Sequence, residues 1–232
     1  MNNQSYIEPK NIQIPAGSFL MGSNNGSANE TPIRPVWVDS FALGEYPVTN
    51  KEYALFIKMK EHSSPPFWKE PKYLIPEHPV IGTSWHDAIT YCDWLKELTG
   101  KPYRLPTEAE HEKAARGGVE GSEYCWGNEL PSNHLGGRNS YLTIKGTEGK
   151  NGYNLYNMSE GVHEWCADWY DPTYYTISPN RNPKGPNRGS RRVARGGSWR
   201  HLIRFTRCAA RSSLAPEKQF SDFGFRCAMS IC

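Results

Sequence analysis

Alternating apolar and polar residues at the start of the chain predict β-strands. Residues 12–23 predict a short hairpin, in which an apolar pair, a Pro-Ala-Gly turn and a second strand ending at Gly22 follow one another. Residues 34–43 alternate in the same way and predict one further strand. The N-terminal part of the chain is therefore expected to consist of short strands.

Three helices are predicted in the first half of the chain, each preceded by a residue that can cap its N-terminus. Thr49 precedes a segment whose apolar side chains share one helical face. Ser84 with Asp87 resembles a capping box, and Thr107 with Glu110 matches that motif. Glycines after the second and third segments supply the signals that end these helices.

The second half of the chain predicts short strands joined by long loops, because Pro, Gly, Asn and aromatic residues dominate it. The 232 residues include 21 glycines and 18 prolines, and a 12% aromatic content argues against disorder. We therefore expect a single domain over residues 12–232, preceded by an N-terminal extension at residues 1–11.

Charge and hydropathy limit the partners that this chain can have. A net charge of +3 is too small to indicate nucleic acid, although basic residues gather between Arg181 and Arg211. No basic start followed by an apolar run opens the sequence, and no apolar run approaches the length of a membrane span. We expect a cytoplasmic protein that binds a protein, a peptide or a small anionic ligand, and neither a membrane nor nucleic acid.

Several motifs, in their order and spacing, point to a known family. They include YPVTNKEYALF at 46–56, YRLPTEAEHEKAARGG at 103–118, NGYNLYNMSEGVHEWCADWYD at 151–171, RRVARGGSW at 191–199 and GFRCA at 224–228. From about residue 12 to residue 229 the chain resembles the formylglycine-generating enzyme, or sulfatase-modifying factor, family. The resemblance implies an α+β fold with little regular secondary structure, related to the C-type lectins.

One segment departs from the oxidases of that family. The resemblance implies that those enzymes bind copper(I) through two cysteines between the GGS motif and the motif present here as RCAARS. Residues 199–206 contain no cysteine, and Cys208 belongs to the second motif itself. We therefore expect no copper at a cysteine pair and no oxidation of a sulfatase cysteine by that mechanism. The alternative is that this alignment with the family is wrong and that a remote cysteine enters the site, in which case Cys166 is the candidate.

The loop that binds a structural calcium ion in the family is present in altered form. By position, the resemblance assigns side-chain oxygens to Asn157 and Glu164 and backbone carbonyls to Glu160 and Val162. An all-oxygen set suits a hard cation such as calcium. Glu160 stands where the family has Gly, so it adds charge to the loop or distorts it. The alternative is a loop held by hydrogen bonds from Asn157 and Glu164.

Three residues on separate segments are candidates for a different site. His163 takes the position of a Trp that lines the pocket of the oxidases, and Asp222 takes that of a pocket Asn. His201 lies on the segment that lacks the copper cysteines. In one cavity, two imidazoles and a carboxylate suit non-haem iron or another divalent metal. The alternatives are an acid–base His–Asp pair without metal and histidines that only form structural hydrogen bonds.

Two further expectations concern a cysteine pair and a recognition surface. Cys92 and Cys227 match a family disulfide and should lie close together even as thiols. The segment after the GGS motif supplies aromatic and cationic side chains suited to recognition, namely Trp199, Arg200, His201, Arg204 and Phe205.

These observations leave three functions open. The one we favour is a calcium-stabilised binding or accessory domain that recognises a peptide, a protein or a small ligand in the inherited cleft. The second is a non-haem metal-dependent oxidoreductase built on His163, His201 and Asp222. The third is a variable receptor of a diversity-generating retroelement, because such receptors vary the same C-terminal segment.

Overall fold

Short β-strands in three separate sheets make up much of the computed structural model, which describes residues 6–129 and 149–231. The strands are β1 (Asn11–Ile14), β2 (Gly17–Met21), β3 (Arg34–Val38), β4 (Phe41–Gly44), β5 (Tyr103–Arg104), β6 (His163–Trp169), β7 (Arg192–Arg195), β8 (Ser212–Leu214), β9 (Phe223–Gly224) and β10 (Ala228–Ser230). The first sheet has the antiparallel order β1-β4-β10-β5, and the second pairs β2 with β3. The third has the order β8-β7-β6-β9, and β9 runs parallel to β6.

The three predicted helices are confirmed as α1 (Asn50–Lys60), α2 (Trp85–Thr99) and α3 (Glu108–Ala115). Thr49, Ser84 and Thr107 each accept a hydrogen bond from a backbone N–H of the first turn, as part of a capping box. Gly100 ends α2 in the left-handed conformation, with φ of 69°. None of the described helices combines the length and the apolar character needed to cross a bilayer.

The predicted hairpin at residues 12–23 is wrong, although both of its strands exist. β1 pairs with β4 and β2 pairs with β3, so the chain turns a corner at Pro15 and enters a second sheet. The predicted single strand at 34–43 is likewise divided into β3 and β4. Asp39 ends β3 because its carboxylate accepts hydrogen bonds from the Trp37 indole and the Asn182 amide, which hold the chain at the corner.

Two apolar cores fill the space between these elements. One packs α1 and α2 against the third sheet and includes Trp165, Phe223 and Phe225. The other lies between the strands of the first two sheets and α3, and includes Ile14, Val36 and Leu43. The third sheet therefore packs closely against an apolar core, which holds the residues at the ends of β6 and β9 in fixed positions.

Buried ion pairs join α3 to the third sheet. Arg195, at the end of β7, binds the Glu112 carboxylate, and neither side chain is exposed to solvent. Arg211 donates to both oxygens of Glu108, at 2.7 and 2.9 Å. Because each guanidinium is paired with a buried carboxylate, these contacts fix the ends of the loop that runs from β7 to β8.

Candidate functional site

A two-glycine turn directs the chain from β7 into the candidate site. Gly196 and Gly197 have φ values of 87° and 69°, a region that favours glycine. A Cβ atom on Gly197 would lie 2.6 Å from Cγ2 and 2.9 Å from Cα of Thr206. Glycine at this position therefore allows the segment containing Ser198 and His201 to lie against the short 3-10 helix at Ile203–Phe205.

The structure brings His163, His201 and Asp222 together, and their metal-ligating atoms all lie within 4.8 Å of one another. Nε2 of His163 is 3.1 Å from Nδ1 of His201. The parallel pairing of β6 with β9 places Asp222 here, because the His163 N–H donates to the Asp222 carbonyl at 2.8 Å. Ser198 Oγ donates to Asp222 Oδ2 at 3.0 Å, and Nη1 of Arg200 lies 3.7 Å from Oδ1.

Burial favours the neutral form of both histidines in this cluster. Burial lowers the pKa of His163 to about 3, and the neighbouring His201 lowers it further in the same direction. Burial also lowers the pKa of His201, with Asp222 opposing the shift. Neutral imidazoles keep a nitrogen lone pair, so this pair can accept a proton, accept a hydrogen bond or bind a metal ion.

Two adjacent cavities meet at the histidine pair. One, of about 410 Å³, is lined by residues that include Arg200, Phe220 and Asp222. The other, of about 240 Å³, is lined by residues that include Phe205 and Arg207. His163 and His201 line both cavities. The cluster is therefore accessible from a concave surface, which is the usual setting for a ligand or metal site.

The predicted recognition segment lies partly on this surface. Arg200, His201 and Phe205 line one or both cavities, whereas Trp199 and Arg204 are not among their lining residues. Trp199 is half-buried, and its backbone N–H donates to the Gly161 carbonyl, so it helps to anchor the segment. Arg204 is exposed, and its guanidinium lies over the Phe205 ring at 4.8 Å from the centroid.

Several lining residues were not predicted from the sequence. Phe220 is 46% exposed at the rim, and Ser212, Ser213 and Leu214 come from β8. Phe220, Ser213 and Leu214 belong to no motif identified in the sequence, and Ser212 ends the RCAARS motif without having been assigned to the site. Only the pairing of β8 with β7 brings that strand to the site, so no local signal in the sequence could have identified them.

The residues of the predicted calcium set surround the start of β6. Asn157 adopts a left-handed φ of 57°, and all four residues of the set are buried. The Glu164 carboxylate accepts hydrogen bonds from Nε and Nη2 of Arg226, both at 2.6 Å, and lies 2.9 Å from Nε2 of His111. Burial alone would raise the pKa of Glu164, but Arg226 and His111 hold it below its ordinary value. Glu164 thus has a cationic partner of its own, and calcium in this loop stays a prediction.

The described cysteines lie away from the histidine cluster. The Sγ atoms of Cys92 and Cys227 are 3.8 Å apart in the core, and their pairing, as thiols or as a disulfide, stays a prediction. Cys166 is fully buried, and its Sγ lies against the Glu164 carbonyl. Neither cavity has a described cysteine in its lining, so the donor atoms that meet at the site are nitrogen and oxygen.

Comparison with known proteins agrees with this architecture. The family model described as a sulfatase-modifying factor enzyme 1-like domain matches residues 1–231. The formylglycine-generating enzyme of Streptomyces coelicolor is 34% identical over 94% of this chain and 88% of its own length. PvdO from Pseudomonas aeruginosa has a TM-score of 0.78 at 26% identity, covering 96% of this chain and 95% of its own. Treponema denticola variable protein 1 has a TM-score of 0.80 at 24% identity, with the same coverage.

The fold is therefore the mixed α+β, C-type-lectin-like fold of these structures. Because the family model extends over nearly the whole sequence, the chain belongs to the formylglycine-generating enzyme, or sulfatase-modifying factor, family.

Proposed function

We propose that this protein is a binding or accessory domain whose cleft recognises a peptide, a protein or a small ligand carrying an acidic group beside an apolar one. The observation that carries the proposal is the exposed apolar and cationic rim around a polar floor. Phe205 is 45% exposed and Phe220 is 46% exposed. Exposed aromatic side chains grouped around a cavity are typical of recognition surfaces.

Arg200 is the residue that leads us to propose an acidic group on the ligand. Its side chain is 50% exposed, and among the residues that the structure describes its carboxylate neighbour is Asp222, 3.7 Å away. By contrast, Arg207 and Arg211 at the same cavities are bound to Glu30 and Glu108 at 2.7 Å. A guanidinium with one loose partner can donate two hydrogen bonds to an incoming carboxylate or phosphate, and such charge-assisted bonds are the strong ones.

Fluorescence polarisation with short labelled peptides tests this proposal. The peptides pair Asp or Glu with Phe, Tyr or Trp, and matched peptides carry Asn or Gln instead. We expect the acidic peptides to bind about tenfold more tightly than the amide peptides, because a hydrogen bond to a charged group contributes about 1.5–3 kcal/mol. All titrations contain calcium and a chelator selective for transition metal ions, so that no transition metal ion contributes.

Two substitutions and their controls locate the binding surface. Arg200→Ala should abolish the preference for acidic peptides, and Phe220→Ala should weaken all of them. Arg188→Ala and Ile177→Ala, at exposed positions outside the cavities, should change neither. The proposal would be contradicted if neither rim substitution changed the affinity for the peptides, or if no peptide bound.

A metal-dependent oxidoreductase is the second candidate function, and the convergence of His163, His201 and Asp222 favours it. The variable-receptor alternative draws on the likeness to the Treponema variable protein, which at 24% identity concerns the fold. A near-copy of the coding sequence for the 199–206 segment beside the gene, with adenine-specific differences, would support that alternative.

A further inference from the structure

We infer that His163, His201 and Asp222 form a binding site for a divalent first-row transition metal ion on the floor of the cleft. Nε2 of His163, Nδ1 of His201 and a carboxylate oxygen of Asp222 are the three protein ligands. This site goes beyond ligand recognition at the rim, and it differs in donor chemistry from the cysteine pair that the oxidases of the family use.

The spacing of the two histidines already suits a metal ion. Their facing nitrogens are 3.1 Å apart. With metal–nitrogen distances of roughly 2.05 Å, an ion bound to both would subtend an angle of about 98° between them. That value lies between the octahedral and the tetrahedral angle, so one ion can bind both nitrogens in place of the hydrogen-bond contact between the two rings.

Asp222 completes the set through a short side-chain movement. Its nearest ligand atom is at most 4.8 Å from those of the histidines. Ligands of a tetrahedral ion are about 3.3 Å apart, so the carboxylate must approach by no more than about 1.5 Å. Its backbone stays in place, because the Asp222 carbonyl accepts the His163 N–H at 2.8 Å. Ser198 Oγ, 3.0 Å from Oδ2, can orient the carboxylate as an outer-shell partner.

The charges around the cluster are compatible with a cation. The buried arginines nearby are neutralised in pairs, Arg195 with Glu112 and Arg211 with Glu108. Arg200 is the cation beside Asp222, but it is half exposed and 3.7 Å away, so it can turn towards solvent when an ion binds. Asp222 then contributes the negative charge that a divalent ion needs.

Three protein ligands leave coordination positions open on the side of the larger cavity. A structural zinc site is closed by four protein ligands, whereas a set of two histidines and one carboxylate with open positions is typical of reactive or substrate-binding metals. The open side faces the roughly 410 Å³ cavity that Phe220 borders. A ligand bound at the rim would therefore reach the ion directly.

To test this site, the 232-residue protein is made without a tag, stripped of metal with a chelator and titrated with Co²⁺, which is then displaced with Zn²⁺. We expect one Co²⁺ per chain, visible d–d absorption of a site with nitrogen and oxygen ligands, and loss of that absorption when Zn²⁺ is added. His201→Ala and Asp222→Asn should each weaken binding at least 100-fold. Ser198→Ala should weaken it by about 10–100-fold, as loss of an outer-shell partner does.

A matched control separates this site from surface histidines. His86 is exposed on α2 and outside the cluster, so His86→Ala should bind Co²⁺ as the unchanged protein does. Circular dichroism of each variant establishes that it is folded, and a His201→Gln variant replaces His201→Ala if the latter is not. No Co²⁺ binding below millimolar concentration, or binding that survives both ligand substitutions, would overturn the inference. Because the peptide titrations contain chelator, that result would leave the proposed recognition function standing.

Discussion

The substitution Gly197→Ala tests whether the two-glycine turn fixes the position of the candidate site. At φ of 69° an added Cβ strains the backbone by about 1–2 kcal/mol. The Cβ would also lie 2.6 Å from Thr206 Cγ2, in contact with a residue that is 1% exposed. An ordinary contact needs about 3.4 Å or more, so the 197 and 206 segments must separate by about 0.8 Å, and overpacking of this kind costs about 1–3 kcal/mol. The expected loss in the free energy of unfolding is therefore about 2–5 kcal/mol.

Gly100→Ala is the matched control for that substitution. Gly100 has the same φ of 69°, and a Cβ there would meet nothing within 4 Å. Its replacement should cost only the backbone strain of about 1–2 kcal/mol. Urea unfolding of both variants measures the difference, and Co²⁺ titration shows whether the displaced turn also impairs the cluster. Equal destabilisation by the two substitutions would refute the argument that Thr206 requires glycine at position 197.

Three further predictions concern buried charge, calcium and pH. Arg226→Met should lower the free energy of unfolding, measured with urea, by about 3–5 kcal/mol, because the fully buried Glu164 loses its guanidinium partner. The control Arg181→Met removes an exposed ion pair and should lower it by less than about 1 kcal/mol. Calcium added to chelator-treated protein should raise the Tm and Asn157→Ala should remove that rise; an unchanged Tm in the parent protein would exclude the calcium loop. The pKa of His163 is about 3 in the folded chain and about 6.5 unfolded, so the unfolded state gains a proton first and stability falls as pH drops below about 6.5. Between pH 7 and pH 5 the low pKa of His163 should lower the free energy of unfolding by about 2 kcal/mol. Urea unfolding of a His163→Phe variant at several pH values checks this. If its free energy of unfolding falls with pH as steeply as that of the parent protein, the assignment is wrong.

Local signals in the sequence predicted the helices but not the pairing of the strands, for a physical reason. A capping box involves residues three positions apart, so Thr49, Ser84 and Thr107 could be identified without knowledge of the fold. Strand pairing depends on distant partners. β1 has a four-residue register with β4, and β2 has a five-residue register with β3. Both ladders extend over the full length of β1 and of β2, and their partners β4 and β3 lie outside the predicted hairpin.

The candidate site was predictable only through the family resemblance. His163, His201 and Asp222 are far apart in the sequence, and no spacing rule joins them. Positions inherited from a known pocket indicated that they face one cavity, and the parallel pairing of β6 with β9 is the feature that brings Asp222 beside His163. The rim residue Phe220 has no such family position, and only the three-dimensional arrangement identifies it.

The donor atoms at the cleft decide which metal chemistry this family member can support. Copper(I) is a soft ion that thiolates stabilise, whereas imidazole and carboxylate favour borderline and harder divalent ions. Residues 199–206 carry no thiol. Of the five described cysteines, Cys92, Cys166, Cys208 and Cys227 are buried in the core, and the part-exposed Cys125 lines neither cavity. If the cleft binds a metal, the cluster should therefore prefer Zn²⁺ or Co²⁺ to copper(I). Anaerobic competition between Zn²⁺ and copper(I) for the stripped protein measures that preference directly. Stoichiometric copper(I) that Zn²⁺ does not displace, and that persists in Asp222→Asn, would show that a thiol reaches the site after all.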